Sequence, residues 1–501
     1  MSLFQEAGVL AAIDIGSNSF RLEIGRVASG RYRRVDYLKE TVRLGAGLDD
    51  QSRLTEAAFE RGLSTLAAFA DRLQGFDPMR MRAVATQTLR EARNRDEFLR
   101  SAQRVLGHPI EVISGREEAR LIYGGVSFLQ PSEESRLVAD IGGRSTELIL
   151  GQGRSPKAAE SFAVGSVSLS MRYFADGRLT SQAFRAAQVA AGAEFEEALQ
   201  QFAPSLWTQA LGSSGAAGAV SQVLKESGIT DGCITLQALA GLMERCIDAG
   251  HLERLSVPGL REDRRAVIPG GLAILYTLFT HFGIEQMRPA KGALRQGVII
   301  DLHERLLAMK AGARGQDARD ITVAALQARF GVDVAQARRV RESALQLHDT
   351  ALPQADLQAR RELAWACDLH ELGLAVSHHD YHRHSAYLMA HLDAPGFSQS
   401  QQRRIGQLVL AQRGGLRKVE EALADPLFAW QALCLRLAVI RCHARDVEPA
   451  PAYRLTRHNG RGALLGWEPP EASPNPRTLH LLQEEAQAWE RQGSLKVELV
   501  G

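Results

Sequence analysis

The 501-residue chain is predicted to be an α/β protein with two related lobes, followed by a mainly helical region. Three observations carry that expectation. An apolar run, Val9–Ile13, leads into the polar loop Asp14-Ile15-Gly16-Ser17-Asn18-Ser19 and leaves it as a strand. The same succession returns when Leu137-Val138-Ala139 runs into Asp140-Ile141-Gly142-Gly143-Arg144-Ser145-Thr146-Glu147 and leaves through Leu148-Ile149-Leu150. A spacing from residue 14 to residue 140 is far too long for a solenoid repeat and fits duplication of a half-domain. From about residue 306 strand signals thin out and helical spacing takes over.

The elements of the first lobe, residues 1–128, follow in order. Val9–Ile13 is a short continuous apolar run, expected to be a buried strand. Beyond the loop Phe20, Leu22 and Ile24 alternate with Arg21 and Glu23, the period of a second strand. Ala58, Phe59, Leu63, Leu66 and Phe69 fall at helical spacing within residues 55–74. Arg82–Thr86 is predicted as a strand running into a helix, and Ile110–Ile113 as another strand. Strand alternating with helix indicates an α/β lobe. A second lobe, residues 129–305, starts near Pro131 and is closed by the stretch from Gly270-Gly271 to Asp301. Residues 306–445 are expected to be helical. Residues 446–501 form a small C-terminal domain, which Pro449, Pro451, Pro469, Pro470, Pro474 and Pro476 mark as turns and short elements ending in a strand near Leu495–Val500.

Composition excludes little else. With 45% hydrophobic and 24% charged residues, the chain resembles an ordinary globular protein. No apolar run approaches the roughly 20 residues of a membrane span, and the N-terminus lacks a secretory signal pattern. The five cysteines contain no CxxC pair and are expected to be reduced thiols of a cytoplasmic protein. No nucleic-acid partner is expected, although a net charge of +2 by itself says little, because a balanced total can hide local patches. Arginine clusters recur at Arg31/Arg33/Arg34, Arg90/Arg93/Arg95, Arg261/Arg264/Arg265 and Arg403/Arg404. Most belong on a solvated surface, and a minority around a cleft would grip a polyanion.

The first loop offers Gly16, Ser17, Asn18 and Ser19, small residues and hydroxyls that let backbone N–H groups reach phosphate oxygens. A strand follows it rather than a helix, so it is the tip of a hairpin and not a P-loop. An ordinary hairpin turn has the same composition. The second loop, with Gly142, Gly143, Ser145 and Thr146, turns the balance toward two hairpins gripping one polyphosphate from both sides. Asp14, Asp140 and Glu147 are then candidates to hold Mg²⁺. A third segment, Gly212-Ser213-Ser214-Gly215, is either a further phosphate contact or a tight strand-to-helix turn. Ser114-Gly115-Arg116-Glu117 matches a capping box, leaving Glu118 as a free carboxylate in the first helical turn. Such a residue is either a surface group favoured by the helix dipole or, at a cleft, a base for water attacking phosphorus. Arg90 is a candidate phosphate clamp.

These segments resemble the exopolyphosphatase and guanosine pentaphosphate phosphohydrolase (Ppx/GppA) family. The resemblance runs through Ala12–Phe20, Val84–Arg90, Ile113–Ile122, Asp140–Glu147, Gly292–Arg295 and Leu369–Gly373. It implies an actin-like fold (the acetate kinase/Hsp70/actin superfamily) in the first two lobes, a helical HD-like third domain and a homodimer. It also implies Mg²⁺-dependent release of terminal phosphate from inorganic polyphosphate or guanosine pentaphosphate. By motif, Glu118 is similar to the family's general base, and Asp140 and Glu147 to metal-associated carboxylates. Ser17, Asn18, Gly142, Gly143, Ser145 and Arg90 match phosphate binders, and the Gly212–Ala216 turn is similar to the superfamily's nucleotide-side loop. Two departures stand out. Arg144 occupies a position usually taken by a small residue, where a long cation either adds a phosphate contact or narrows the site. His370-Glu371 stands where a working HD site has His-Asp, with His348, His378, His379, His382 and His384 nearby. The longer carboxylate favours a structural relic over a metal site. The segment Ser377–Ser385 looks closer to the polyphosphatase branch.

Overall fold

A computed structural model describes residues 8–311, 317–355, 357–445, 451–458, 460–469 and 474–500. Pro449 and Pro470 lie outside the described residues. The chain divides into two units, Met1–Ala313 and Arg314–Gly501.

In the first unit, β1 (Val9–Ile15) is buried at all of its residues, as its unbroken apolar run requires. It pairs antiparallel with β2 (Phe20–Ala28), which pairs antiparallel with β3 (Arg31–Glu40). On its other side it pairs parallel with β4 (Met81–Ala85), and β4 with β5 (Ile110–Val112), giving the order β3-β2-β1-β4-β5. The second lobe repeats this plan with β6 (Ser135–Ile141), β7 (Thr146–Gln152), β8 (Ser155–Phe162), β9 (Gln209–Ser213), β10 (Ile234–Thr235) and β11 (Gln286–Pro289). Its order is β10-β11-β9-β6-β7-β8, with β6–β7 and β7–β8 antiparallel and β6–β9 and β9–β11 parallel. β6 therefore takes the place of β1. This is the duplicated, two-lobed actin-like arrangement.

Strand parity sends each sheet's two faces into different cores. Val9, Ala11, Ile13 and Ile15 pack into the first lobe's own core, with the helices Glu56–Arg72 and Arg95–Leu106. Leu10 and Ala12 instead join Val138 of β6 and Ile149 of β7 in a core shared between the lobes. Leu137, Ala139 and Ile141 face the second lobe's core. The shared core is filled by the helices Gly115–Leu129 and Leu294–Ala311. These two helices touch backbone to backbone. A Cβ on Gly297 would stand 1.8 Å from the carbonyl oxygen of Leu121, so only glycine fits. The helix Leu294–Ala311 runs unbroken through residues 305 and 306.

The period-two reading of β2 holds, but a charged residue of the alternation is not on a solvated face. Glu23 is fully buried because the helix Leu294–Ala311 covers that face. It takes hydrogen bonds from Tyr32, from Arg295 (3.1 Å) and from Gln296 (2.6 Å).

The second unit is helical through Arg441, with a core that includes Trp365, Phe397, Phe428 and Trp430. Its C-terminal part is more regular than a run of turns. β12 (Ala452–His458), β13 (Gly462–Glu468) and β14 (Lys496–Leu499) form one sheet, and Pro476–Gln492 is a 17-residue helix. Pro476 opens that helix after the Asn475 cap, where proline's missing N–H costs nothing. A proline taken for turn punctuation is a helix start.

Candidate active site

Parity also builds the site. Asp14 continues the Leu10–Ala12 face to the end of β1, and Asp140 continues the Val138 face to the end of β6. Both aspartates therefore emerge where the inner faces of the lobes part. The register pairs Asp14 with Arg21 and Asp140 with Glu147, so those two side chains share the same faces.

The loops between these pairs lie against each other. A Cβ on Gly143 would be 3.1 Å from Ser17 Cβ, and one on Gly165 would strike the Gly143–Arg144 peptide at 2.4 Å. Loop carbonyls are already occupied. Ser17 O accepts from Gly45 N–H (2.7 Å), Asn18 O from Arg43 N–H (2.9 Å) and Gly143 O from Val167 N–H (2.8 Å). Among the described residues no backbone acceptor takes the N–H groups of Ser17, Asn18, Gly143 or Arg144. Orphan N–H groups on loops of small residues suit an anion. A cavity of about 80 Å³ lies between the loops.

The third segment joins this cavity. β9 ends at Ser213 and the helix Ser214–Glu226 starts at once. Ser214 adopts φ +70°, a left-handed conformation that is costly for a residue with a side chain, and its hydroxyl donates to Ile141 O at 2.6 Å. Ser214 and Gly215 line the cavity.

Glu118 sits at its base, 7% exposed. Ser114 caps its helix, accepting from Glu117 N–H at 3.2 Å. The Glu117 carboxylate accepts from Arg120 at 2.7 and 2.8 Å, so it serves an ion network rather than the return arm of a capping box. Glu118 Oε2 accepts from Arg90 at 2.9 Å. Burial pushes the Glu118 carboxyl up to about 7, against the pull of Arg90 and with help from the charges of Asp140 and Asp14. Burial also raises Asp140, against hydrogen bonds from Ser213 and Ser214, and raises Glu147 well above the usual carboxylate range, with Glu118 and Asp140 adding to it.

The predicted residues divide in two. Asp14, Gly16, Ser17, Asn18, Ser19, Glu118, Asp140, Gly142, Gly143, Ser145, Ser214 and Gly215 line one cavity. Arg90, Arg144, Thr146, Glu147, Gly212 and Ser213 are not part of its lining. Thr146 is fully buried and donates to Val164 O at 2.6 Å. Gly212 packs on Ala217 and Met287, and Ser213 donates to Gly292 O at 3.2 Å. Glu147 accepts from Ser161 at 2.8 Å. Arg144 binds Glu91 and the Gly45 carbonyl.

Three arginines join the site that residue types alone did not single out. Arg21, Arg264 and Arg295 line the cavity. Arg21 holds Asp14 at 3.3 Å, and Arg295 lies 3.7 Å from the same oxygen. Burial and the neighbouring charge of Arg21 push Arg264 down. The signal for Arg21 was its place seven residues after Asp14, the place Glu147 holds after Asp140.

The carboxylates suit a hard divalent cation, with a qualification. Among the described residues no group of three or more His, Cys, Asp or Glu side chains is spaced to hold an ion by itself. Asp14 is already neutralised by two arginines. Asp140 and Glu147 are both raised by burial, Asp140 further by the charge of Asp14 and Glu147 by those of Glu118 and Asp140, and they form the oxygen pair a cation would relieve. Mg²⁺ typically takes one or two carboxylates plus water and substrate oxygens, so two fit.

In the second unit His370 is buried, with Nδ1 2.7 Å from the Cys367 carbonyl, and burial holds it down to about 4. Glu371 is engaged by Arg445. His378 and His379 are exposed, while His348 and His382 are buried. No helix among the described residues is long and apolar enough to cross a membrane.

Two family models match the chain, that of the Ppx/GppA phosphatase family over residues 24–306 and that of Ppx/GppA phosphatase domain III over residues 318–466. An exopolyphosphatase-like protein of known structure is 26% identical, with a TM-score of 0.54 over 60% of this chain and 99% of its own. An exopolyphosphatase from Cytophaga hutchinsonii is 22% identical, with a TM-score of 0.54 over 62% of this chain and 99% of its own, a likeness of fold. Matches that span both units, together with a duplicated fold and its paired loops of small residues, place this chain in the Ppx/GppA phosphatase family.

Proposed function

We propose that the cleft releases terminal orthophosphate from inorganic polyphosphate, with Glu118 deprotonating the attacking water. The observation that carries this reading is the seat of Glu118, a buried carboxylate facing both loops with its proton affinity raised to about 7. A base poised near neutrality takes a proton from water at working pH and returns it. The N–H groups of Ser17, Asn18 and Gly143 and the hydroxyls of Ser19 and Ser145 hold the terminal phosphoryl oxygens. Arg21, Arg264 and Arg295 take up the charge of the chain behind it. Asp140 and Glu147 would hold Mg²⁺, which would supply neutralisation of charge on the phosphoryl oxygens. No aromatic ring on which a purine would stack lines the cavity among the described residues. That favours inorganic polyphosphate over guanosine pentaphosphate.

The test is phosphate release from long-chain polyphosphate by the purified protein with Mg²⁺. Glu118→Gln is expected to lower kcat by roughly 10²–10⁴-fold and to keep polyphosphate binding. A higher kcat/KM for guanosine pentaphosphate would reassign the substrate. Binding of either anion without turnover would make the protein a sensor.

A further inference from the structure

Arg144 departs from the small residue expected in its loop, and it spans the cleft. Its Nε and one terminal nitrogen meet Glu91 Oε2 at 2.8 and 2.7 Å, and its other terminal nitrogen donates to the Gly45 carbonyl at 3.1 Å. Arg144 belongs to the second lobe's loop, whereas Gly45 and Glu91 belong to the first lobe. Gly45 makes the slot possible, since a Cβ there would stand 2.7 Å from Arg144 Cδ.

The contact does not end at Glu91. The short helix Gln87–Glu91 brings residues three and four apart onto one face. Gln87 donates through Nε2 to Glu91 Oε1 at 2.6 Å and accepts through Oε1 from Arg90 at 2.6 and 2.9 Å. Arg90 in turn donates to Glu118 Oε2 at 2.9 Å and to the Ile113 carbonyl at 3.0 Å. An unbroken line of hydrogen bonds runs from the second lobe's loop to the carboxylate at the base of the cleft.

We propose that Arg144 is an interlobe latch and a positioning residue, which keeps Arg90 on Glu118 by occupying Glu91. This inference rests on the reading of Glu118 as the water-activating group. While Arg144 neutralises Glu91, the Arg90 guanidinium has one carboxylate partner, Glu118. When the lobes part and Arg144 leaves, Glu91 becomes an uncompensated carboxylate beside Arg90 and competes for it. Turnover is thereby tied to closure of the two loops on a phosphate group.

The experiment measures kcat and KM separately for polyphosphate hydrolysis with Mg²⁺, with thermal midpoints confirming the fold of each variant. Arg144→Ala is expected to lower kcat roughly ten- to a hundredfold, the scale of a misplaced catalytic group, with KM nearly unchanged. Adding Glu91→Gln to Arg144→Ala is expected to recover most of that loss, because no free carboxylate then draws Arg90 away. Gly45→Ala evicts the Arg144 side chain without removing it, and stands in should Arg144→Ala fail to fold. A rise in KM at constant kcat overturns the proposal and makes Arg144 a substrate contact. A kcat loss that Glu91→Gln does not recover also overturns it and reduces Arg144 to a structural role. Glu118→Gln separates the two readings. Retained turnover in that variant refutes the base assignment, whereas loss of turnover there with full activity in Arg144→Ala refutes the latch alone.

Discussion

Replacing Glu118 by glutamine keeps the side chain's shape and removes its charge, so it should stabilise the first unit in a pH-dependent way. Burial raises the carboxyl from an ordinary 4.5 to about 7. A carboxyl with a raised folded-state pKa favours the folded state below its unfolded value and loses that contribution as pH rises through the folded value. At pH 4 wild type and variant are therefore nearly equal. By pH 8 the wild type carries a desolvated charge that costs about 3 kcal/mol, at about 1.4 kcal/mol for each pH unit between the unfolded and folded values. Metal-free Glu118→Gln should thus gain on the wild type steadily from about pH 4.5 to pH 7 and hold a constant lead above it. Hydrogen exchange across the helix Gly115–Leu129 reports on this region directly, and urea unfolding at about pH 4 and pH 8 gives the free energies. Saturating Mg²⁺ should shrink the lead, because a cation beside Asp140 and Glu147 favours the ionised carboxylate. Equal stability of the two proteins at pH 8 without metal would refute the idea that Glu118 is held desolvated, and with it the argument for a base poised near neutrality.

Two further outcomes follow from the geometry. Gly297→Ala should destabilise the first unit by about 1–3 kcal/mol or more, the usual range for overpacking. Its Cβ meets the Leu121 carbonyl oxygen at 1.8 Å, a backbone atom that cannot turn aside. An unchanged unfolding midpoint would mean the two helices are not in that contact. Arg264→Ala should raise KM for polyphosphate while sparing kcat, and the difference from wild type should narrow at high salt, since screening weakens a contact made through charge. Equal KM values at low salt would remove Arg264 from the substrate path.

Much of the fold is local in origin and was readable as such. Continuous apolar runs mark β1 and β6, alternation marks β2, and Asp-Ile-Gly in both hairpins marks the duplication. The Ser114 cap and the free Glu118 behind it followed from spacing alone. The C-terminal region was harder. Asn475-Pro476 starts a 17-residue helix, and proline at a helix's first position looks the same in sequence as proline in a turn.

Sequence by itself determined the two loops, the carboxylates at their strand ends and the candidate base, because each depends on residue type and short-range periodicity. Tertiary structure alone decided which charges meet. Arg21, Arg264 and Arg295 reach one cavity from three separate segments, and nothing in the chain order of Arg261/Arg264/Arg265 marks the middle one as the group facing the cleft. Glu23 alternates like a solvent-facing residue, yet a helix that begins 271 positions later buries it. Arg144 carried a phosphate-binding expectation by its place in the loop, and its length instead takes it across the cleft to Glu91 and Gly45. The physical reason is the same throughout. Periodicity fixes the side of an element on which a side chain lies, whereas its ion partner depends on which elements the closed fold brings within about 4 Å, a distance the linear order does not encode.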